Sequence, residues 1–360
     1  MKLVVDLRMI NTSGIGTYLK NVVPGILGYY REVVFLGNKT ELNAFEWSKP
    51  YEIIDFNEKI YSIKEQLVYP KIIPKCDVFW CPHFNVPLLP IHAKKTITTI
   101  YDVNHLSGIN TISILRKAYA FLLYKMAVQK SDIIFTISQF SKNEIIKYTG
   151  AKENKIHLVY CGVSQIFFNK NTSSFDLNLP EKYILFVGNV KPHKNLITLL
   201  KAYLLLPVEI KQEYKIVIVG KKEGFITEDN AVFEFIEANN LLNNIFFTGY
   251  IKDSEVPEVY KKAFMFVFPS QYEGFGLPIL EAIASEIPVI SSNAASLKEV
   301  GGDVVLYFDP LDYKDLSQKM EKIVKNPSLR KELIEKAKPQ TLLFTWEKTI
   351  QLHLKAFKTL

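Results

Sequence analysis

The amino-acid sequence predicts an α/β protein built from two doubly wound parallel sheets in tandem. Three observations carry this. With 360 residues the chain has material for about two domains. Short β-rich runs alternate with helical patterns, the mark of βαβ units. The alternation lapses once, in the Asn-, Ser- and Pro-rich stretch Asn169–Pro180, and then restarts.

In the first half the strand signals are Leu3–Leu7, Val33–Leu36, Tyr51–Asp55, Val78–Trp80, Thr96–Tyr101, Ile133–Ile137 and Ile156–Tyr160. Several are unbroken apolar runs, as expected of strands covered on both faces. Helical patterns fall between them at Ile15–Tyr30, Ile112–Gln129 and Gln139–Tyr148. In the second half strands are predicted at Tyr183–Val187, Ile216–Val219, Ile245–Thr248, Met265–Phe268, Val289–Ser291 and Val304–Phe308. Helices are predicted at Leu196–Leu205, Val232–Asn239, Val256–Ala263 and Leu277–Ser285. The tail carries a helical apolar pattern, Trp346, Ile350, His353–Leu354 and Phe357. The expected division is a first domain over 1–170 joined by a C-terminal helix at about 345–360, a linker over 171–180, and a second domain over 181–344.

Hydrophobic residues make up 48% and charged residues 22%, an ordinary globular balance that rules out global disorder. The opening MKLVVDLRMI reaches an acid at Asp6 and does not read as a secretory signal. The longest run without a charged residue, Val78 to Ala93, holds three prolines and is too short to span a bilayer. Three cysteines without a CxxC spacing suit a reduced, cytoplasmic location. The net charge of +7 lies wholly in the first half: residues 1–180 hold 21 Lys/Arg against 14 Asp/Glu, and the remainder 23 of each. A basic half suits a phosphate-bearing partner, an anionic membrane surface or nucleic acid.

Three segments can carry chemistry. Asn11–Tyr18 (NTSGIGTY) follows the first strand and opens a helix, where glycines allow close backbone approach and the helix start favours anions. It lacks the third glycine of a dinucleotide fingerprint, and a bare GxG also suits a turn without a ligand. Phe186–Asn195 (FVGNVKPHKN) gathers Lys191, His193 and Lys194 on a loop before a helix, fit for a diphosphate or for solvent. Phe268–Glu281 (FPSQYEGFGLPILE) is the most specific. Here Glu273 lies on a Gly-rich loop, and Pro278 sits in a first helical turn, where its missing N–H costs nothing. Glu281 stands about one turn into that helix. Ionised carboxylates only accept, so both suit sugar or ribose hydroxyls. No DxD and no metal-ligand cluster is present, so no metal or other cofactor is expected.

The Glu273/Glu281 pair within EGFGLPILEA, followed by PVISSNAASLKEVGGDVVLYFDP, resembles retaining glycosyltransferases of family 4, which have the GT-B fold of two Rossmann-like domains facing across a cleft. GIGTYLKNVV, TTIYDVNHL, FTISQFSKNEI, VYCGVSQIFF, FVGNVKPHKNL and FTWEKTI agree in order over essentially the whole chain. Bacterial polysaccharide mannosyl- and rhamnosyl-type transferases are the nearest kind. The resemblance implies that Glu273 contacts donor-sugar hydroxyls and Glu281 the ribose. It implies that Lys194 and the amides of Phe275, Gly276 and Leu277 hold the diphosphate, and that Gly14 and Gly16 border the phosphate or the acceptor. Asp102 matches the acid of an HD pair that meets an acceptor hydroxyl. Asn189 stands where many members carry Arg. His193 stands where related loops carry Arg, so it supplies a cation only when protonated. Tyr101 replaces the HD histidine, and His105 lies three residues beyond Asp102.

The expected partners are a nucleoside-diphosphate sugar and a glycan or polyprenyl-diphosphate-linked acceptor, with no nucleic acid. Arg116, Lys117, Lys125 and Lys130 interleave with Tyr119, Phe121, Leu122 and Tyr124; Lys59, Lys64, Lys71 and Lys75 interleave with a second apolar set. Both stretches suit docking to the inner face of the plasma membrane, or buried helices with solvated basic faces. The competing classes are a dinucleotide-dependent oxidoreductase and a non-catalytic sugar or nucleotide binder.

Overall fold

A computed structural model describes residues 1–108, 113–169, 177–220 and 229–360. The chain forms two compact units, Met1–Gly162 with Trp346–Leu360, and Val163–Thr345.

The first unit holds a seven-stranded sheet: β1 (Lys2–Asp6), β2 (Glu32–Gly37), β3 (Glu52–Asp55), β4 (Cys76–Cys81), β5 (Ala93–Thr99), β6 (Ile133–Thr136) and β7 (Ile156–Leu158). Its order is β3-β2-β1-β4-β5-β6-β7, with every neighbouring pair parallel. The second unit holds β8 (Tyr183–Val187), β9 (Lys215–Val219), β10 (Ile245–Gly249), β11 (Met265–Phe268), β12 (Val289–Ser292) and β13 (Leu306–Phe308). Its order, β10-β9-β8-β11-β12-β13, is again all parallel. In both sheets the winding direction reverses between the first-formed strand and its fourth, at β1/β4 and at β8/β11. Crevices for ligands open at such reversals, beyond the carboxyl ends of the strands.

The strands form where the sequence is continuously apolar because helices cover both faces; Phe266, Val267 and Phe268 are wholly buried. Side-chain caps start helices where the sequence offers them. Ser62, Ser138, Asp312 and Asn326 accept from the first-turn amides of helices Ile63–Ile72, Gln139–Thr149, Tyr313–Lys325 and Pro327–Thr341. Three of these, Ile63–Ile72, Tyr313–Lys325 and Pro327–Thr341, were not among the predicted helices. Ile112 of the expected helix over 112–129 lies outside the described residues; the helix runs Ile114–Lys130.

The C-terminal helix, Trp346–Phe357, belongs to the first unit and packs on helix Ser13–Ile26. A Cβ at Gly25 would stand 2.3 Å from Cδ1 of Ile350, so a larger residue there would have to push the Ile350 side chain aside. His353 is fully buried beneath it. Its Nδ1 donates to the Thr349 carbonyl at 2.7 Å, which leaves Nε2 to accept from the Tyr18 hydroxyl at 2.5 Å. Burial pushes its pKa down to about 4, so the ring stays neutral.

The boundary differs from the one expected at 170. Residues 163–169 pack with the second unit, Phe167 lying buried and edge-on to Tyr260 at 5.6 Å. Of the expected linker, residues 171–176 lie outside the described residues.

Candidate active site

The loops that leave β8 and β11 flank the reversal point of the second sheet, and they carry the residues expected to hold a donor. After β8 the chain passes Gly188 and Asn189 and makes a single 3₁₀ turn, Pro192–Lys194. Asn195 then takes a left-handed conformation (φ 56°) before helix Leu196–Leu204. That conformation is held from outside the loop. The buried Asn195 side chain donates to the carbonyls of Pro269 (3.0 Å) and Pro310 (2.8 Å), and its Oδ1 accepts from Thr198. Asn195 thereby ties the β8 loop to the ends of β11 and β13.

After β11 the segment Glu273–Gly276 wraps back to start helix Leu277–Ala284. Gly276 caps that helix at φ 120°, a region side chains rarely adopt. Ser296, fully buried, donates to the carbonyls of Glu273 (2.9 Å) and Phe275 (2.6 Å) and fixes the loop's shape. Phe275 is itself buried, edge-on to Phe344 at 5.7 Å. The first amides of any helix lack a carbonyl one turn earlier, so Gly276 and Leu277 begin an anion-favouring end.

These two loops bring Lys194 and Glu273 together. Nζ of Lys194 donates to Oε1 of Glu273 at 2.6 Å, with both side chains mostly buried (18% and 14% exposed). The ammonium also stands 5.3 Å from the ring centre of Phe268. A second bond between the loops, Gln271 N–H to the His193 carbonyl at 2.8 Å, locks them in register. The segments read separately in the sequence form one site.

Glu281 lies one turn inside the helix and accepts from the Tyr260 hydroxyl at 2.9 Å. Burial raises its pKa from 4.5 to about 7, and the negative charge of Asp253 adds to the shift. His193 fares differently. Burial, with Lys194 and Lys191 close by, holds its pKa at about 4 despite the favourable pull of Glu273. The imidazole is thus neutral near pH 7. Its buried Nδ1 has no hydrogen-bond partner among the described residues. Lys191 is likewise pushed below its usual range, by burial and by Lys194.

In the first unit, Gly16 is buried, and a Cβ there would stand 2.3 Å from the Ile10 carbonyl oxygen. Its missing side chain allows this close backbone packing. Gly14 is exposed in open space. Asp102 follows β5, and its Oδ1 accepts from the Asn104 amide at 2.8 Å. His105 is exposed, with Nδ1 3.4 Å from the Tyr124 hydroxyl. Tyr101, expected on the acceptor side, turns inward instead: its hydroxyl is buried and its ring meets Tyr18 edge-on at 5.3 Å. Two of the expected basic side chains also turn in. Lys125 donates to the Thr149 carbonyl, and Lys130 to those of Pro87 and Leu88.

Comparison with known proteins identifies the family. The profile of the glycosyl transferases group 1 family matches residues 168–340. The O-antigen chain mannosyltransferase B of Escherichia coli is 30% identical over 279 residues, which cover 76% of this chain and 72% of that protein. The chain belongs to the group 1 glycosyltransferases. The serotype-specific mannosyltransferase WbdA of Escherichia coli is 32% identical over 249 residues, 67% of this chain but 30% of that longer protein. The crystal structure of Anabaena Alr3699/HepE in complex with UDP and glucose superposes with a TM-score of 0.74 at 15% identity, over 100% of both chains. That likeness establishes the GT-B fold for this glycosyltransferase.

Several residues that build the glycosyltransferase's site carried no local signal. Asn195, Ser296 and Tyr260 act on partners distant in the chain; Asn195 and Ser296 stood inside segments already singled out, and Tyr260 did not. Among the described residues no three His, Cys, Asp or Glu side chains converge as a metal site.

Proposed function

We propose that this glycosyltransferase moves a hexosyl unit, most simply mannosyl, from a nucleoside-diphosphate sugar to a lipid-linked glycan in bacterial surface-polysaccharide assembly. Transfer retains the anomeric configuration and uses no metal ion. The observation that carries the reading is the Lys194–Glu273 pair at the reversal of the second sheet. It sets a phosphate-binding cation and a hydroxyl-binding carboxylate within one hydrogen bond of each other. The mannosyltransferase relatives support the sugar and the pathway class. The UDP and glucose bound by Alr3699/HepE support the donor class.

In this mechanism the donor inserts between the paired side chains, Lys194 turning to the diphosphate and Glu273 to sugar hydroxyls. The bond between the anomeric carbon and the phosphate oxygen breaks, and negative charge grows on the departing diphosphate. Lys194 and the amides of Phe275, Gly276 and Leu277 stabilise that charge; preorganised donors of this kind supply about 3–4 kcal/mol each in comparable sites. The acceptor hydroxyl attacks from the face the phosphate leaves, and its proton passes to a phosphate oxygen. Glu281 takes the ribose. Glu273 and Glu281 therefore do not act as the acid and nucleophile of a retaining glycosidase. Asp102 and His105 face the acceptor in this scheme, and Asn189 borders the phosphates.

Peripheral docking to an anionic membrane face is part of the proposal. Helix Ile114–Lys130 holds no acidic residue and exposes Ile114 (86%) and Leu115 (83%) beside Arg116 and Lys117. No described helix is long and apolar enough to cross a membrane. Binding to phosphatidylglycerol vesicles that fades with salt, and is lost in Leu115→Glu, is the expected result.

The test of the reaction is donor turnover by Lys194→Ala and Glu273→Ala with UDP-, GDP- and dTDP-hexoses. Each variant should fold and lose at least about 100-fold in rate. Near-wild-type turnover by either would refute the assignment, and thermal stabilisation by NAD(P) alone would favour an oxidoreductase.

A further inference from the structure

The first sheet has a crevice at its own reversal point, which the donor chemistry leaves unused. The loops after β1 and β4 wall a pocket lined by Asp6, Arg8, Met9, Tyr69, His83 and Asn85, among others. Its floor is a closed charge network. Arg8 donates through Nε to Asp6 Oδ1 (2.9 Å), through Nη2 to Asp6 Oδ2 (2.5 Å) and Glu65 Oε1 (2.7 Å), and through Nη1 to the Glu58 carbonyl (3.2 Å). The ring of Phe56 covers its face at 3.9 Å. With its fork committed to carboxylates, Arg8 is already paired and is not a phosphate clamp.

Glu65 has a further task. Fully buried and held by Asn85 Nδ2 at 2.7 Å to each oxygen, it accepts from the backbone N–H of Tyr61 at 2.9 Å. Tyr61 is thereby kept at φ 69°, in the left-handed region that bulky side chains rarely occupy. Strain of this kind persists where surrounding structure imposes it, and it gathers at ligand sites. Tyr61 remains 41% exposed, its ring backed by Phe84 at 5.7 Å and His83 at 5.6 Å.

Its hydroxyl is also prepared. The Asn85 amide donates to His83 Nδ1 at 3.3 Å, so the proton of the neutral ring sits on Nε2 and is donated to the Tyr61 oxygen at 3.2 Å. The phenol keeps its own proton to give. Burial, together with the charge of Asp102, holds that phenol protonated, and burial keeps His83 neutral. The site thus offers a partly exposed aromatic side chain and a hydroxyl donor, with its buried arginine already paired. That is the complement of an uncharged sugar ring, which stacks its C–H face on aromatics and exchanges hydrogen bonds through its hydroxyls.

We propose that Tyr61 positions the acceptor, stacking on the ring of a neutral pyranoside at the mouth of the first unit's pocket and donating to one of its hydroxyls. The inference rests on the transferase reading above, which supplies the need for a glycan acceptor. Saturation-transfer NMR on the full chain, with methyl α-mannoside, methyl α-glucoside and methyl α-rhamnoside as probes, tests it. At least one probe should receive saturation at its ring protons from the wild type. Tyr61→Phe should weaken its binding about three- to tenfold, the worth of one neutral hydrogen bond, and Tyr61→Ala should abolish it. Tyr61→Asn, whose side chain suits a left-handed backbone, should melt no lower than Tyr61→Ala and still lose the glycoside, which separates binding from unfolding. Undiminished saturation in the Ala or Asn variant, or none from the wild type to any probe, overturns the proposal. UDP and GDP titrated into the wild-type sample report separately on the donor reading.

Discussion

Replacing Glu281 by glutamine should flatten the pH dependence of stability. The carboxyl ionises near 4.5 when the chain is unfolded and near 7 when folded. Between those values the folded protein holds a proton that the unfolded chain has released. Stability therefore falls as pH rises from about 4.5 to about 7 and is constant, for this group, above that. At ~1.4 kcal/mol per pKa unit the cost of ionised Glu281 reaches about 3 kcal/mol, an upper bound for a partly solvated group. Glutamine keeps the acceptor for Tyr260 and removes the charge. The assay is thermal melting of wild type and Glu281→Gln from pH 5 to 8. The gap between their midpoints should widen in favour of the variant by about 5 °C or more across that range, at ~2–4 °C per kcal/mol for a domain of this size. Parallel curves would refute the argument. Nucleoside-diphosphate affinity of the wild type should rise over the same window, because only the ionised carboxylate accepts from both ribose hydroxyls, and the variant should lack that rise.

His193→Gln should leave the shape of the pH–rate profile unaltered between pH 5.5 and 8, because His193 loses its proton near 4; a limb present in the wild type and missing from the variant would show that it titrates in turnover. Gly16→Ala forces a methyl group to within 2.3 Å of a carbonyl oxygen and should cost about 1–3 kcal/mol in urea unfolding. Gly14→Ala meets no atom within 4 Å and should change stability by under ~0.5 kcal/mol, so a fall in donor turnover there would report a ligand contact.

The strands were legible because a parallel strand covered on both faces must be apolar at nearly every position, as in Met265–Phe268 and Tyr183–Val187. The helices Tyr313–Lys325 and Pro327–Thr341 were missed although Asp312, Asn326 and Pro327 announce their starts. Their polar surfaces hid an apolar stripe of Leu316, Met320 and Ile323. The domain boundary was misjudged because loop composition marks where regular structure stops, whereas Phe167 changes its packing partner several residues earlier. At the site, Glu273, Lys194 and Glu281 stood out through glycines and prolines next to them. Asn195 and Ser296 could not reveal their roles, since the carbonyls they hold belong to other loops. The neutrality of His193 likewise depends on burial and on Lys191 and Lys194 around it, which no local pattern encodes.

The seam at Gly25 and Ile350 has a consequence for biosynthesis. One Rossmann-like unit is finished only when Trp346–Leu360 has emerged, after its companion is complete at Thr345. Until then Tyr18, Phe135 and Trp80 have no His353 or Phe357 to close over them. The nascent chain thus carries an unsealed apolar surface until that helix emerges, and a nick near Ile350 would reopen it.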